Sequence, residues 1–167
     1  MIIKKILLVL LIILPIYIGR TIYLLDKTYF LCPVQYKDRG DFVIRCDSRG
    51  DGFFASSRGG GLRQHKGIDL LAPVGTPVFA SRSGTVIEAT TNHGMGKYVK
   101  IQHAGGLVTL YGHLSEIYVS TGDFLRQSDV LGSVGKTGNA NSPGILPHLH
   151  FETRENGMHT DPHIYLQ

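Results

Sequence analysis

The sequence has almost no helical periodicity after residue 30, because apolar residues there rarely recur every three to four positions. This absence argues against a helical bundle. Short apolar runs separated by Gly, Asn, Ser or Pro take its place, and their alternation is clearest where Val99 and Ile101 face away from their neighbours. A hairpin turn is indicated at residues 103–106. We therefore predict an all-β fold, a compact antiparallel β-sheet domain that occupies residues 52–165.

Excess charge of one sign is missing from most of the chain. The net charge of the whole protein is +4, and residues 1–31 account for +3 of it with four basic residues against one acidic residue. The remaining residues are 13 basic against 12 acidic. A nearly neutral domain gives no electrostatic support for binding nucleic acid, so we predict no nucleic-acid partner.

Small residues suited to a cleavage site are also lacking near the amino terminus, where the first alanine of the chain is Ala55. A pair of lysines precedes fourteen uncharged, mostly aliphatic residues at 6–19. That length suits a cleaved signal peptide, but a cleavage site of small residues is lacking. A membrane span needs about 20 apolar residues, which residues 6–25 supply if Arg20 snorkels to the interface. We favour residues 1–25 as an uncleaved single-pass anchor in the inner (cytoplasmic) membrane, with the domain in the periplasm.

Cysteine is scarce, with only Cys32 and Cys46 present. Both lie in residues 26–51, which we interpret as a juxtamembrane linker. They can close a small disulfide loop, which would persist in an oxidising compartment such as a periplasm. A lipid attached to Cys32 is the alternative, although residues 29–31 lack the small side chains of a lipoprotein signal.

Two short motifs carry the chemistry: His-Lys-Gly-Ile-Asp ending at Asp69, and His-Leu-His beginning at His148. No His-Glu-x-x-His occurs, which excludes the helical zinc site with a glutamate base. In an extended chain, residues two or four apart share a face, so His65 can converge with Asp69 and His148 with His150. Zinc prefers such ligands and leaves one position open in catalytic sites. The motifs predict a zinc site. They leave open whether His148 or His150 is the ligand, and whether Asp69 binds the metal or only orients a ligand.

Four strings of the sequence share their order, spacing and flanking glycines with one enzyme family. They are Gln64-His65-Lys66-Gly67-Ile68-Asp69-Leu70-Leu71-Ala72-Pro73-Val74-Gly75-Thr76-Pro77-Val78, Tyr111-Gly112-His113-Leu114, Gly135-Lys136-Thr137-Gly138 and His148-Leu149-His150-Phe151-Glu152. Together they resemble the lysostaphin-type (LytM-like) peptidoglycan zinc metallopeptidases, or murein endopeptidases. The resemblance extends over about residues 52–162.

The resemblance implies a role for each site residue. His65, Asp69 and His150 would hold Zn²⁺, and only the resemblance favours His150 over His148 as the ligand. His113 and His148 would serve catalysis as the base and the oxyanion stabiliser. The implied activity is hydrolysis of the peptide crosslinks of bacterial peptidoglycan, by a water molecule that zinc activates near neutral pH. The partners are then the peptidoglycan peptide and, through the anchor, the membrane.

Two other functions are compatible with parts of the sequence. Some relatives of this family have lost ligands and activate other wall hydrolases, so a non-catalytic activator or scaffold is the main alternative, although this chain shows no such loss. A weak similarity between residues 74–78 and 120–125 is also found in lipoyl and biotin carrier domains. A carrier needs a modifiable lysine at a hairpin tip, and neither Lys97 nor Lys136 has that setting.

Overall fold

The computed structural model describes residues 13–15, 30–35 and 42–166. Most of the predicted anchor, residues 1–25, lies outside these ranges. Within the described ranges, no helix has the length and apolar character needed to cross a membrane. The anchor and the periplasmic location therefore stay predictions.

The described part of the chain contains thirteen β-strands and three short 3₁₀ helices. The strands are β1 Cys46–Asp47, β2 Gly50–Asp51, β3 Ser57–Arg58, β4 Arg63–Gln64, β5 Ile68–Leu71, β6 Pro77–Phe79, β7 Gly84–Asn92, β8 Gly96–Gln102, β9 Leu107–Ile117, β10 Phe124–Leu125, β11 Val130–Val134, β12 His148–Glu155 and β13 Met158–Thr160. Every pairing between these strands is antiparallel. This confirms the predicted all-β class and its compact antiparallel sheet.

Nine strands form the main sheet, in the order β10-β7-β8-β9-β11-β6, and β12 pairs with β9, β5 and β13. Strand β9 changes partner along its length, because residues 107–112 pair with β12 and residues 114–117 pair with β11. His113 lies at the change, with a φ of 63°. This left-handed backbone costs about 1–3 kcal/mol for a residue other than glycine. The His113 N–H, which donates to the Met95 carbonyl, helps to hold it.

Alternation along β5 and β12 separates the core from the functional surface. Leu70 on β5, and Leu149 and Phe151 on β12, are fully buried in the hydrophobic core. Burying such a side chain contributes about 1.5–3 kcal/mol each. Because successive side chains of a strand point to opposite faces, Asp69 on β5 and the histidines of β12 face away from that core.

The predicted alternation of β8 is confirmed with one difference. Val99 and Ile101 are fully buried, as expected, but Tyr98 is buried as well. Its hydroxyl donates to the Glu88 carboxylate at 2.6 Å, and Lys100 lies over its ring. These partners let an outward-facing aromatic ring leave water without losing its polar contact.

Cys32 and Cys46 are free thiols in the structure, without the disulfide that their positions in the sequence allow. Cys32 is half-buried against the core, and burial raises the pKa of its thiol to about 11. Cys46 is exposed on β1. The described end of the predicted linker, residues 42–51, packs on β5, where Ile44 forms a bridge with Leu70.

Candidate metal centre

The register between β5 and β12 brings the two sequence motifs together. Asp69 and His150 lie directly opposite each other in this antiparallel pair. His65 precedes β5, and its backbone N–H donates to the Ser56 carbonyl. Gly67, between the two residues of the first motif, has to be glycine, because a Cβ there would lie 2.2 Å from the backbone oxygen of Phe151. The glycine of the first motif thus lets the chain approach β12 closely enough for the side chains of His65, Asp69 and His150 to meet.

Three buried ligand atoms form a small triangle. Asp69 Oδ1 lies 3.1 Å from His65 Nε2 and 2.8 Å from His150 Nδ1, and the two histidine nitrogens are 3.1 Å apart. Zinc bonds of about 2.0–2.1 Å in a tetrahedron place ligand atoms roughly 3.3 Å apart. The separations and the two-imidazole, one-carboxylate donor set therefore suit a zinc ion. We call His65, Asp69 and His150 the ligand cluster.

Hydrogen bonds behind the two imidazoles leave their inward nitrogens free to bind a metal. His65 Nδ1 lies 2.8 Å from the Phe53 carbonyl, and His150 Nε2 lies 3.1 Å from Glu152 Oε1. A ring nitrogen that donates to these acceptors leaves a lone pair on the other nitrogen of the neutral ring. The tautomers assigned from these partners aim His65 Nε2 and His150 Nδ1 at the centre.

Glu152 is fully buried behind His150, and its second oxygen accepts from Arg154 at 2.8 Å. Burial alone would raise its pKa, but hydrogen bonds with His150 and Arg154 lower the pKa of Glu152 to about 2. In the metal-free protein, burial opposes a charged His150, yet the carboxylates of Asp69 and Glu152 raise the pKa of His150 to about 9. The site is therefore built to hold positive charge.

Asp69 uses its two carboxylate oxygens differently. Oδ1 faces the ligand cluster, whereas Oδ2 accepts from Arg45 Nη2 at 3.0 Å and Nε at 3.2 Å. Burial would raise the pKa of Asp69, but hydrogen bonds with His150 and His65 hold it well below its ordinary value. The carboxylate is charged and fixed with one oxygen available to a metal.

The other two predicted residues, His113 and His148, lie beside the cluster with ring centroids 5.0 Å apart. We call them the histidine pair. His113 Nδ1 lies 2.9 Å from the Thr137 carbonyl, and His148 Nδ1 lies 2.7 Å from the Leu146 carbonyl. Both Nε2 atoms then carry lone pairs, and that of His148 lies 3.7 Å from Asp69 Oδ1. Burial lowers the pKa of His148, and burial together with the neighbouring histidines lowers the pKa of His113 to about 3.

The five residues open into a groove of about 810 Å³. Its basic lining residues all come from the segment that precedes β5, and they are Arg45, Arg49, Arg58, Arg63 and Lys66. The loops at 94–95 and 139–145 supply only uncharged residues to the lining. Among the described residues, no carboxylate oxygen lies within 4 Å of the Arg63 guanidinium. The groove therefore offers a charged group to an acidic ligand.

Several contributors to the site were missed by the sequence motifs. Arg45 lies 24 positions before Asp69, and no spacing rule connects the two. The carbonyls of Phe53, Thr137 and Leu146 carry no side-chain signal at all, because any residue supplies a carbonyl. Glu152 could have been found, since strand alternation places it on the same face as His150.

Comparisons with known proteins agree with this geometry. The sequence profile described as Peptidase family M23 matches residues 63–162. The peptidoglycan DD-endopeptidase ShyC of Vibrio cholerae is 39% identical over 103 residues, which are 62% of this chain and 23% of ShyC. The chain thus spans about a quarter of the length of this curated relative.

Two solved structures show the same fold. The catalytic domain of lysostaphin, an antimicrobial peptidase from Staphylococcus simulans, has a TM-score of 0.60 and 31% identity, covering 70% of this chain and 89% of that one. A structure of the SpoIIQ-SpoIIIAH pore forming complex has a TM-score of 0.65 and 28% identity, covering 83% of this chain and 91% of that one. The family match over most of the folded domain leads to one conclusion: the chain belongs to peptidase family M23.

Proposed function

We propose that this protein is a zinc-dependent endopeptidase that hydrolyses peptide crosslinks of bacterial peptidoglycan. The observation that carries the proposal is that the ligand cluster and the histidine pair line the same groove. Three buried ligand atoms lie within 3.1 Å of one another, and two uncharged histidines lie beside them. A ligand cluster alone would support a structural metal site. The histidine pair adds proton acceptors where a reacting group would sit.

In this proposal His65, Asp69 and His150 hold the zinc ion. Three protein ligands leave a position open, as in other catalytic zinc sites. The bound ion supplies a Lewis acid that polarises the scissile carbonyl and lowers the pKa of a water molecule. The buried, charged Asp69 and the carboxylate behind His150 offset the charge of a dication.

The histidine pair begins as a pair of proton acceptors. Each Nδ1–H donates to a backbone carbonyl, so each neutral ring offers only the lone pair of Nε2 to the groove. Such a nitrogen accepts the proton of an attacking water molecule, and it donates a hydrogen bond only after it is protonated. One ring therefore serves first as base. Once charged, it can steady the oxyanion or pass the proton to the leaving amine.

The groove supports an extended, acidic peptide as substrate. The basic lining residues precede β5, and the Arg63 guanidinium has no carboxylate partner within the described residues. Charge-assisted hydrogen bonds to substrate carboxylates are among the stronger polar contacts. For the whole protein we propose an inner-membrane anchor at residues 1–25 that holds this domain at the wall in the periplasm, supported by the apolar run at 6–25.

The proposal is tested with the full chain and purified cell-wall material. We expect the zinc-loaded protein to convert crosslinked peptide fragments into uncrosslinked ones, measured by chromatography and mass spectrometry. A chelator should stop the release and added zinc should restore it. A zinc-loaded, folded protein that releases nothing contradicts the proposal.

A scaffold or activator role is the second candidate. It is supported by the similarity to the chain in the SpoIIQ-SpoIIIAH pore forming complex, of which this chain covers 91%. The same experiment separates the two functions, because a scaffold would release no wall peptide by itself but would stimulate an added wall hydrolase.

A further inference from the structure

A buried arginine joins two carboxylates at the edge of the site. Arg45 is only 4% exposed and precedes residues 63–162, the region matched by the family profile. Its Nε and Nη2 donate to Asp69 Oδ2, and its Nη1 donates to Asp47 Oδ2. A guanidinium can bind two carboxylates in this way because its donors form a rigid planar fork. Arg45 therefore connects a predicted metal ligand to a second carboxylate outside the ligand cluster.

Asp47 connects Arg45 to the backbone that holds His148, a member of the histidine pair. Its Oδ2 also accepts from the backbone N–H of Leu146 at 3.0 Å, and its Oδ1 accepts from the N–H of Arg49 at 2.8 Å. The carbonyl of the same Leu146 accepts from His148 Nδ1 at 2.7 Å. The chain of hydrogen bonds ends at His148, because the 3.7 Å between its Nε2 and Asp69 Oδ1 is longer than a hydrogen bond.

The backbone around Arg45 is fixed to β5. The Arg45 N–H donates to the Asp69 carbonyl at 2.8 Å, and the Arg45 carbonyl accepts from Gly52 at 2.7 Å. Gly52 in turn accepts from the Asp69 N–H at 2.9 Å. A Cβ on Gly52 would lie 2.7 Å from the Asp69 Cβ, so glycine permits this close approach. The backbone of Arg45 is thus held directly against Asp69, the residue that its side chain orients.

We propose that Arg45 and Asp47 form a positioning bracket that sets both halves of the site. Arg45 holds Asp69 Oδ2, so that Oδ1 alone faces the metal. Asp47 holds the backbone at Leu146, whose carbonyl fixes the tautomer and direction of His148. The two members act differently: Arg45 governs zinc affinity, and Asp47 governs the orientation of His148. The effects on turnover and on zinc affinity rest on the proposed function, whereas the effect on the His148 tautomer does not.

The Arg45 arm is tested by zinc affinity in the full chain, measured by competition with a chromophoric chelator. Loss of a partner behind a metal ligand typically costs about 10–100-fold in affinity, and we expect that range for Arg45→Met. Arg45→Lys keeps a cation near Asp69 but cannot bridge both carboxylates, so we expect a smaller loss. Arg126→Met, which changes an exposed arginine outside the groove lining, is the control and should bind zinc like the wild type.

A structural role alone is separated from positioning by two further measurements. The absorption spectrum of the cobalt-substituted protein reports ligand geometry, and it should change in Arg45→Met while the far-ultraviolet circular dichroism stays the same. Adding guanidinium ion to Arg45→Ala should restore part of the zinc affinity. Wild-type affinity in both Arg45→Met and Arg45→Lys would overturn this arm, and Arg45→Lys still tests it if Arg45→Met does not fold.

The Asp47 arm is tested with Asp47→Ala. Truncation removes both acceptor oxygens, whereas an asparagine oxygen could still accept from both Arg45 and the Leu146 N–H. We expect zinc affinity to fall less than in Arg45→Met and turnover at saturating zinc to fall at least tenfold. Independently of activity, ¹⁵N NMR of the histidine rings should show a smaller population of the Nδ1–H tautomer of His148. An unchanged His148 tautomer would overturn this arm, even if the wild-type protein shows no hydrolysis.

Discussion

His148 and His150 lie two residues apart on the same face of β12, yet their surroundings prepare them for different chemistry. Behind His150 is a buried carboxylate, Glu152, and the pKa of His150 is raised to about 9. Behind His148 is the Leu146 carbonyl, and burial lowers the pKa of His148. A charged acceptor makes the first ring a strong electron donor for a cation. With only a neutral carbonyl behind it, the second ring has its pKa lowered by burial and stays uncharged, as a base in this site has to be.

The same contrast extends to the ligand cluster and the histidine pair as wholes. Each metal-facing group of the cluster except His65 is held by a charged residue, Arg45 for Asp69 and Glu152 for His150. Both members of the pair are held by backbone carbonyls. Charged side chains thus hold Asp69 and His150, where a dication would sit, and uncharged carbonyls hold the proton acceptors.

The largest effect should come from removing a ligand. We expect His150→Ala and His65→Ala to lose zinc and all hydrolysis, since the remaining two ligands cannot complete a three-ligand site. The fall in zinc affinity should exceed the roughly 100-fold upper range for loss of an outer partner. Metal content after dialysis, measured by mass spectrometry, checks this. Full zinc content in either variant would remove that residue from the ligand cluster.

The next effect distinguishes the pair from the cluster. We expect His113→Ala and His148→Ala to retain most of the zinc while turnover falls by about 10²–10⁴-fold, the usual contribution of a general acid or base. Zinc content and turnover are measured on the same preparation. Loss of zinc in both variants would show that the roles of the two groups are misassigned.

A smaller effect on zinc affinity is expected from Glu152, the residue that accepts a hydrogen bond from the ligand His150. Glu152→Gln keeps an acceptor for His150 but removes one of the two carboxylate charges, after Asp69, that raise the pKa of His150; the same charge pairs with Arg154. We expect zinc affinity to fall by about 10–100-fold, with turnover at saturating zinc changed much less. Glu155→Gln, an exposed position on the same strand, is the matched control. A loss of turnover at full zinc occupancy would mean that Glu152 acts in the reaction itself.

The sequence predicted much of this arrangement, for identifiable reasons. Alternation gave the all-β class, and the resemblance singled out His65, Asp69, His113, His148 and His150, which the structure brings into one groove. Local patterns succeed here because Asp69 on β5, and His148 and His150 on β12, alternate with buried apolar residues. Arg45 could not be predicted in the same way, because its contact with Asp69 depends on how residues 42–52 fold back onto β5. Cys32 and Cys46 show that a short separation along the chain does not by itself bring two side chains together.

The smallest effect that still separates the two histidines of β12 is a thermal one. A ligand that binds only the folded protein stabilises it by about 2.7 kcal/mol at 100 times its dissociation constant. Zinc should therefore raise the unfolding temperature of the wild type by several degrees, measured by calorimetry with and without chelator. We expect His148→Ala to keep this rise, because its ring is outside the ligand cluster, and His150→Ala to lose it. Equal rises in both variants would mean that zinc does not distinguish the two rings, and the contrast between carboxylate-held and carbonyl-held histidines would then carry no function.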